Sequence, residues 1–137
     1  VCQVVVIHDG ARPFVEPLQI SACISGAVEA GACIAAVPVG DTLKKVGGDF
    51  LITETVSRDR LWHAQAPQAF RYDIIAAAHK LAAKERFSAT DDASLVERLG
   101  WKVKVIHGSR RNIKLTDPED LLMAEAIMNM RAPLTNI

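Results

Sequence analysis

The chain has no excess of charge of either sign: 16 lysines and arginines balance 16 aspartates and glutamates over 137 residues. That balance argues against a nucleic-acid coat or a membrane-surface protein, both of which depend on many unpaired cations. It does not argue against one small phosphorylated ligand. No apolar run approaches the roughly 20 residues that a membrane-spanning helix needs. Repeats, low-complexity tracts and linkers are absent. Cysteine is scarce: Cys2, Cys23 and Cys33 form no C-x-x-C pair and lie among apolar neighbours. An odd count of this kind reads as reduced core thiols, the usual state in the cytoplasm. The four histidines are scattered, without the spacing of a zinc site.

Half of the residues are hydrophobic, and the length suits one α/β domain over residues 1–137. Val4 to Ile7 is a β-branched run, the pattern of a strand buried on both faces. Glu16-Pro17 opens a helix with proline at its first position, and Gly31 closes it. Leu18, Ile24, Ala27 and Val28 can share its apolar face. Cys33 to Val39 is a second strand, which makes a βαβ unit. Thr42 to Val46 and Leu51 to Val56, joined by Gly47-Gly48-Asp49, read as a β-hairpin arm over about 42–60, with too few apolar residues to be buried. A ribbon of that kind is marginal alone and suggests a dimer contact. Ser57 to Phe70 is a mixed segment without a clear period. Tyr72 to Glu85 is helical, and Ser88 to Asp92 caps a short helix, Ala93 to Leu99. Trp101 to His107 alternates as a strand, and Ile113 to Leu115 suits a last short one. Thr116-Asp117-Pro118-Glu119 opens the final helix with a capping-box pattern.

The candidate chemistry lies where strands end, because open α/β sheets bind ligands at the carboxyl ends of their strands. Asp9 and Arg12 follow the first strand in Asp-Gly-Ala-Arg-Pro; a turn explains the dipeptide Asp9-Gly10, while a carboxylate and a guanidinium there also suit a metal-bound phosphate. Asp41, Thr42 and Lys44 follow the second strand, either as a polar hairpin entry or as a hydroxyl and an ammonium on the same crevice. Arg58, Asp59 and Arg60 are either a solvated charge cluster or a phosphate grip. Thr90, Asp91 and Asp92 cap a helix, and Thr90 could add a hydroxyl to its N-terminal anion site. Asn112 and Lys114 precede the last helix, with Lys114 in an otherwise apolar segment.

Seven stretches stand in a recognisable order: Asp9-Gly-Ala-Arg-Pro13, Asp41-Thr-Leu-Lys44, Val56-Ser-Arg58, Leu61-Trp-His63, Pro67-Gln68, Thr90-Asp-Asp-Ala-Ser94 and Asn112-Ile-Lys-Leu-Thr116. Together they resemble the 2-C-methyl-D-erythritol 4-phosphate cytidylyltransferases of the non-mevalonate isoprenoid pathway, over essentially the whole chain. The resemblance implies a Rossmann-like nucleotidyltransferase sheet with a protruding β-hairpin arm. It further implies transfer of a cytidylyl group from CTP to methylerythritol phosphate with Mg²⁺ as cofactor. Asp9 would lie on the nucleotide and metal side, and Arg12, Thr42 and Arg58 would address the sugar-alcohol phosphate, with Asp41 and Thr90 nearby. Lys114 would offset the charge of the attacking phosphate, with Arg58 as a second catalytic cation. The arm would join a homodimer and carry Arg58 to the neighbouring site. Neither a nucleic acid nor a membrane is an expected partner. Two departures stand out: Ala66 occupies a common threonine position, and no glycine-rich loop precedes Asp9. The chain therefore reads as the C-terminal portion of such an enzyme, with weak or absent turnover of its own. Ribitol-5-phosphate cytidylyltransferase, and a non-catalytic dimerising remnant, are the alternatives.

Overall fold

The computed structural model describes residues 2–131, so the expected 1–137 span runs past the described residues at both ends. The elements are β1 (Val4–Ile7), α1 (Pro17–Ala30), β2 (Ala32–Pro38), β3 (Leu43–Val46), β4 (Ile52–Val56), β5 (Trp62–Arg71), α2 (Tyr72–Glu85), α3 (Asp92–Arg98), β6 (Lys104–His107) and α4 (Pro118–Arg131). Four strands form one sheet in the order β1-β5-β2-β6. β5 runs antiparallel to both β1 and β2, and β6 runs parallel to β2. Three strands, β1, β2 and β6, therefore end on the same edge. Among the described residues β3 and β4 pair only with each other, as a separate two-stranded ribbon.

The sheet separates two cores, and the period-two alternation of its strands assigns side chains to each. Ala32, Ile34 and Phe70 face α2 and α3, packing with Ile74, Ile75, Ala78, Leu95 and Val96. Cys33, Ala35 and Ala69 face α1, packing with Cys23 and Ala27. A third cluster joins Phe14 to Ala124 and Ile127 of α4.

Helix α1 begins as the sequence predicts: Glu16 and Gln19 form a capping box around Pro17, and Gly31 ends the helix at φ 91°. The face it buries is different. Gln19, Cys23, Gly26 and Ala27 turn inward, whereas Leu18 and Val28 are 80% and 65% exposed. Small residues let the helix lie close to the sheet; a Cβ on Gly26 would stand 2.4 Å from Cys33 Sγ. Bulk at Leu18 or Val28 would hold the helix away.

Several other expectations change. The mixed segment Ser57 to Phe70 contains the longest strand, β5, at the centre of the sheet. Its Pro67 lacks a backbone donor and its alanines blur the alternation, so the sequence shows no period. The βαβ unit survives only in split form, because β5 lies between β1 and β2. β1 is half-buried, not enclosed on both faces: among the described residues it is an outermost strand of the sheet, with Val6 exposed and its other three residues partly buried. Residues 113–115 make no strand; their backbone is tied to the Asp9 loop by Leu115 N–H donating to Ala11 O at 2.9 Å. At the start of α4 the carboxylate that accepts from Thr116 and Asp117 N–H is Asp120, not Glu119, because Asp117 takes the capping position. β6 starts at Lys104, later than the expected Trp101. Cys23 and Cys33 are buried thiols as expected, but Cys2 is exposed, just before β1 begins.

Candidate functional site

The common edge where β1, β2 and β6 end is the edge from which the Asp9 loop, the hairpin and the 108–117 loop depart. A cleft of about 330 Å³ opens there. It is lined by Asp9 and Arg12 after β1, Gln65 and Gln68 on β5, Thr90, Asp91 and Asp92 at the start of α3, and Lys114 after β6. The sequence candidates Asp9, Arg12, Thr90 and Lys114 thus meet in one place together with the capping Asp91 and Asp92, although 105 positions separate Asp9 from Lys114.

Asp9 organises the cationic wall. Its Oδ2 accepts from Arg12 Nε at 3.0 Å and lies 3.4 Å from Lys114 Nζ. Arg12 is the more enclosed cation, and its Nη1 also donates to Asn112 O at 2.7 Å. The turn is closed by Arg12 N–H donating to Asp9 O at 3.0 Å. Partial burial pushes the Asp9 carboxyl up, but the Arg12 hydrogen bond and the Lys114 charge together hold it below the ordinary carboxylate value. Asp9 is therefore ionised at neutral pH, and the wall presents two ordered cations bridged by one anion.

The opposite wall is the entry to α3. Asp91 caps the helix, accepting from Ser94 N–H at 3.0 Å. Asp92 pairs with His79 Nε2 at 2.8 Å. Thr90 stands exposed at the rim. Burial raises the Asp91 carboxyl, but hydrogen bonds from Ser94 and Gln68 outweigh it and keep the group ionised. The capping account of Asp91 and Asp92 holds, and the same turn sets Thr90 beside the cleft.

The floor is β5, whose contribution the sequence concealed. Gln68 Nε2 donates to Asp91 Oδ2 at 3.0 Å while its Oε1 accepts from Ala93 N–H at 3.1 Å. Gln65 Nε2 donates to Ser109 O at 2.9 Å. Asn112 is fully buried and donates through Nδ2 to Ala66 O at 2.7 Å. Pro67-Gln68 was legible as a motif; Gln65 was not, because nothing in Ala64-Gln65-Ala66 distinguishes a buried glutamine from a surface one.

Asp41, Thr42, Lys44 and Arg58 do not line this cleft. Asp41 and Thr42 are exposed where the chain enters the ribbon. Lys44 Nζ donates across the ribbon to Thr55 Oγ1 at 2.6 Å. Arg58 lies at the ribbon's base, its Nη1 donating to Gly40 O, so the end of β4 is pinned to the end of β2. The ribbon itself exposes Val46, Phe50, Leu51 and Ile52.

The arrangement can bind a phosphate between Arg12 and Lys114, offer a hydroxyl from Thr90, and give one carboxylate oxygen of Asp9 to a cation. Among the described residues no cluster of three metal-ligating side chains occurs, and no helix is long and apolar enough to cross a membrane.

Comparison with known proteins agrees with this geometry. The sequence pattern of the family described as IspD, 2-C-methyl-D-erythritol 4-phosphate cytidylyltransferase, matches residues 2–130. The protein of that name from Pelotomaculum thermopropionicum is 52% identical over 128 residues, which is 93% of this chain and 54% of that protein. Its counterpart from Geobacillus thermodenitrificans is 54% identical over 129 residues, covering 94% of this chain and 56% of that protein. The crystal structure of the cytidylyltransferase from Thermus thermophilus superposes with a TM-score of 0.87 at 34% identity, covering 94% of this chain and 63% of that one. The 4-diphosphocytidyl-2C-methyl-D-erythritol synthase from Anaerococcus prevotii gives a TM-score of 0.84 at 35% identity, covering 93% and 57%. The chain spans about half the length of the curated relatives it matches. With the family pattern running from residue 2 to residue 130, and the cleft residues all within it, the chain belongs to the 2-C-methyl-D-erythritol 4-phosphate cytidylyltransferase family.

Proposed function

We propose that the full-length protein carrying this chain transfers a cytidylyl group from CTP to 2-C-methyl-D-erythritol 4-phosphate, releasing pyrophosphate. The observation that carries this reading is the pairing of Arg12 and Lys114 on Asp9 Oδ2, which fixes two cations on one wall of the cleft with Thr90 across from them. In the reaction an oxygen of the substrate phosphate forms a bond to the α-phosphorus of CTP. The bond from that phosphorus to the bridging oxygen breaks, and the electron pair leaves with pyrophosphate. Attack of one anion on another is slow unless charge is offset and the reactants are held in line. Lys114 offsets the charge of the attacking phosphate, Arg12 binds its oxygens in a fixed orientation, and the Thr90 hydroxyl donates to the same group.

Mg²⁺ is the cofactor in this reading, and the residues present fit it. Mg²⁺ takes one or two carboxylates and fills its shell with phosphate oxygens and water, so Asp9 alone is a sufficient protein ligand. When bound, the ion supplies charge neutralisation on the nucleotide phosphates.

The homodimer is also part of the proposal. A two-stranded ribbon is marginal in water unless it packs on something, and this one carries exposed Val46, Phe50, Leu51 and Ile52. Packed against a second copy, it takes Arg58, Asp41 and Thr42 toward the neighbouring cleft, where Arg58 serves as the second catalytic cation. The balanced charge and buried reduced thiols suit a cytoplasmic enzyme.

The test is pyrophosphate release by the full-length protein with CTP, Mg²⁺ and methylerythritol phosphate, with ribitol 5-phosphate run alongside. Turnover with the erythritol substrate, in excess over ribitol, is expected. No release with either alcohol phosphate would remove the reading.

A further inference from the structure

The cleft has two walls built by segments far apart in sequence, and one buried side chain on the floor grips one of them at two points. Gln68 is buried on β5. Its amide nitrogen donates to the Asp91 carboxylate at 3.0 Å, and its amide oxygen accepts from Ala93 N–H at 3.1 Å. Ala93 N–H belongs to the first turn of α3, where helix donors have no partner within the helix. Asp91 is the cap of the same helix. A primary amide at this position donates to a carboxylate and accepts from a backbone N–H at once; an ionised carboxylate can only accept, and an apolar side chain does neither. The residue beside this doubly held turn is Thr90, on the cleft rim, with no hydrogen bond among the described residues to set its position.

We propose that Gln68, with both amide atoms bonded to the α3 turn, is a positioning residue which sets the Thr90 wall for the phosphorylated alcohol and so governs affinity for that substrate through Thr90. The proposal rests on the functional reading above. Loss of the amide lets the Thr90–Asp92 turn shift relative to Arg12 and Lys114, while the triphosphate side of the site is untouched.

The experiment is steady-state kinetics on the full-length protein and its Gln68→Met variant, varying each substrate in turn. If wild type releases no pyrophosphate, the functional reading fails, and the proposal with it. With an active wild type, the KM for the alcohol phosphate should rise about tenfold in the variant while kcat and the KM for CTP stay within about twofold. A fall in kcat alone, or unchanged KM values, overturns the proposal, because a merely structural glutamine would lower only the fraction of folded enzyme. Gln68→Glu keeps the shape and decides the matter if Gln68→Met folds poorly. Burial and the nearby Asp91 raise the introduced carboxyl, so lowering the pH favours a proton shared by the pair, which restores the hydrogen bond. The KM ratio of Gln68→Glu to wild type should therefore shrink as pH falls; a ratio that does not change with pH overturns the proposal.

Discussion

Asp9 has one oxygen facing two cations, and this fixes how the residue behaves in acid. Its folded-state carboxyl lies below the ordinary value of 3.8, burial raising it but Arg12 and Lys114 lowering it more. A depressed carboxyl contributes stability that is whole above the unfolded value and lost as pH falls through the folded one. The wild type should lose thermal stability below about pH 4 more steeply than Asp9→Asn, and melting scans across that range measure the difference. At neutral pH the two should lie within about 1 kcal/mol, since the pair is partly exposed and screened. Lys114 is half-exposed, so Lys114→Ala should also barely change stability. If the proposed function holds, it removes the charge that offsets the attacking phosphate, and kcat of the full-length protein should fall roughly 100-fold or more. A Lys114→Ala enzyme that keeps most of its kcat would remove that residue from the mechanism. Asp91 does a different job: Asp91→Ala removes the α3 cap and the carboxylate acceptor of Gln68 Nε2, leaving it only the longer bond to Gln65 O at 3.4 Å, so stability should fall by about 1 kcal/mol or more in urea unfolding.

At the scale of elements, α1 shows why an apolar face is not always a buried face. Gly26 meets Cys33 across the helix–sheet contact, and an added Cβ would come within 2.9 Å of Cys33 Cβ as well as 2.4 Å of its sulfur. Cys33 lies within a buried stretch of β2 and has little room to give way. Gly26→Ala should therefore destabilise by about 1–3 kcal/mol through overpacking, reduced by up to about 1 kcal/mol from better helix propensity. Leu18→Ser, on the face that the sequence pointed inward, should change stability by no more than about 0.5 kcal/mol. Urea midpoints for the two variants measure both, and the reverse order would place α1 the other way round. The same contrast explains what the sequence revealed elsewhere. Helix ends were legible because Pro17, Gly31 and Asp91 act through local backbone chemistry. The hairpin was legible from its alternation and its Gly47-Gly48 turn. β5 was hidden because Ala64, Ala66, Pro67 and Ala69 carry no period, and its place between β1 and β2 is a long-range fact. The cleft was legible in Asp9, Arg12, Thr90 and Lys114, whose motifs follow strand or helix boundaries. Gln65 was hidden because its partner, Ser109, lies 44 positions away.

At the scale of the whole molecule, the edge where β1, β2 and β6 all end decides what the chain can bind. Loops from three strands and the cap of α3 converge on that edge, which is why residues so distant in sequence share one cleft. Its charge is less generous than its shape. The lining holds two cations, Arg12 and Lys114, against three carboxylates, Asp9, Asp91 and Asp92. The proposed reactants are a triphosphate and a phosphate monoester, both strongly anionic at neutral pH. One phosphate can be met by Arg12 and Lys114 together; a triphosphate cannot be met as well, since every cation in the cleft is then committed and the remaining lining is negative. The relatives are about twice as long as the matched region, so their further residues are available to supply the missing positive charge. The chain of 137 residues by itself should therefore show little or no pyrophosphate release and no measurable CTP binding by calorimetry. Under the same conditions the full-length protein should bind CTP and turn over. Release by the 137-residue chain at rates near those of the full-length protein would mean that the cleft holds the triphosphate without further cations, and the charge argument would fail.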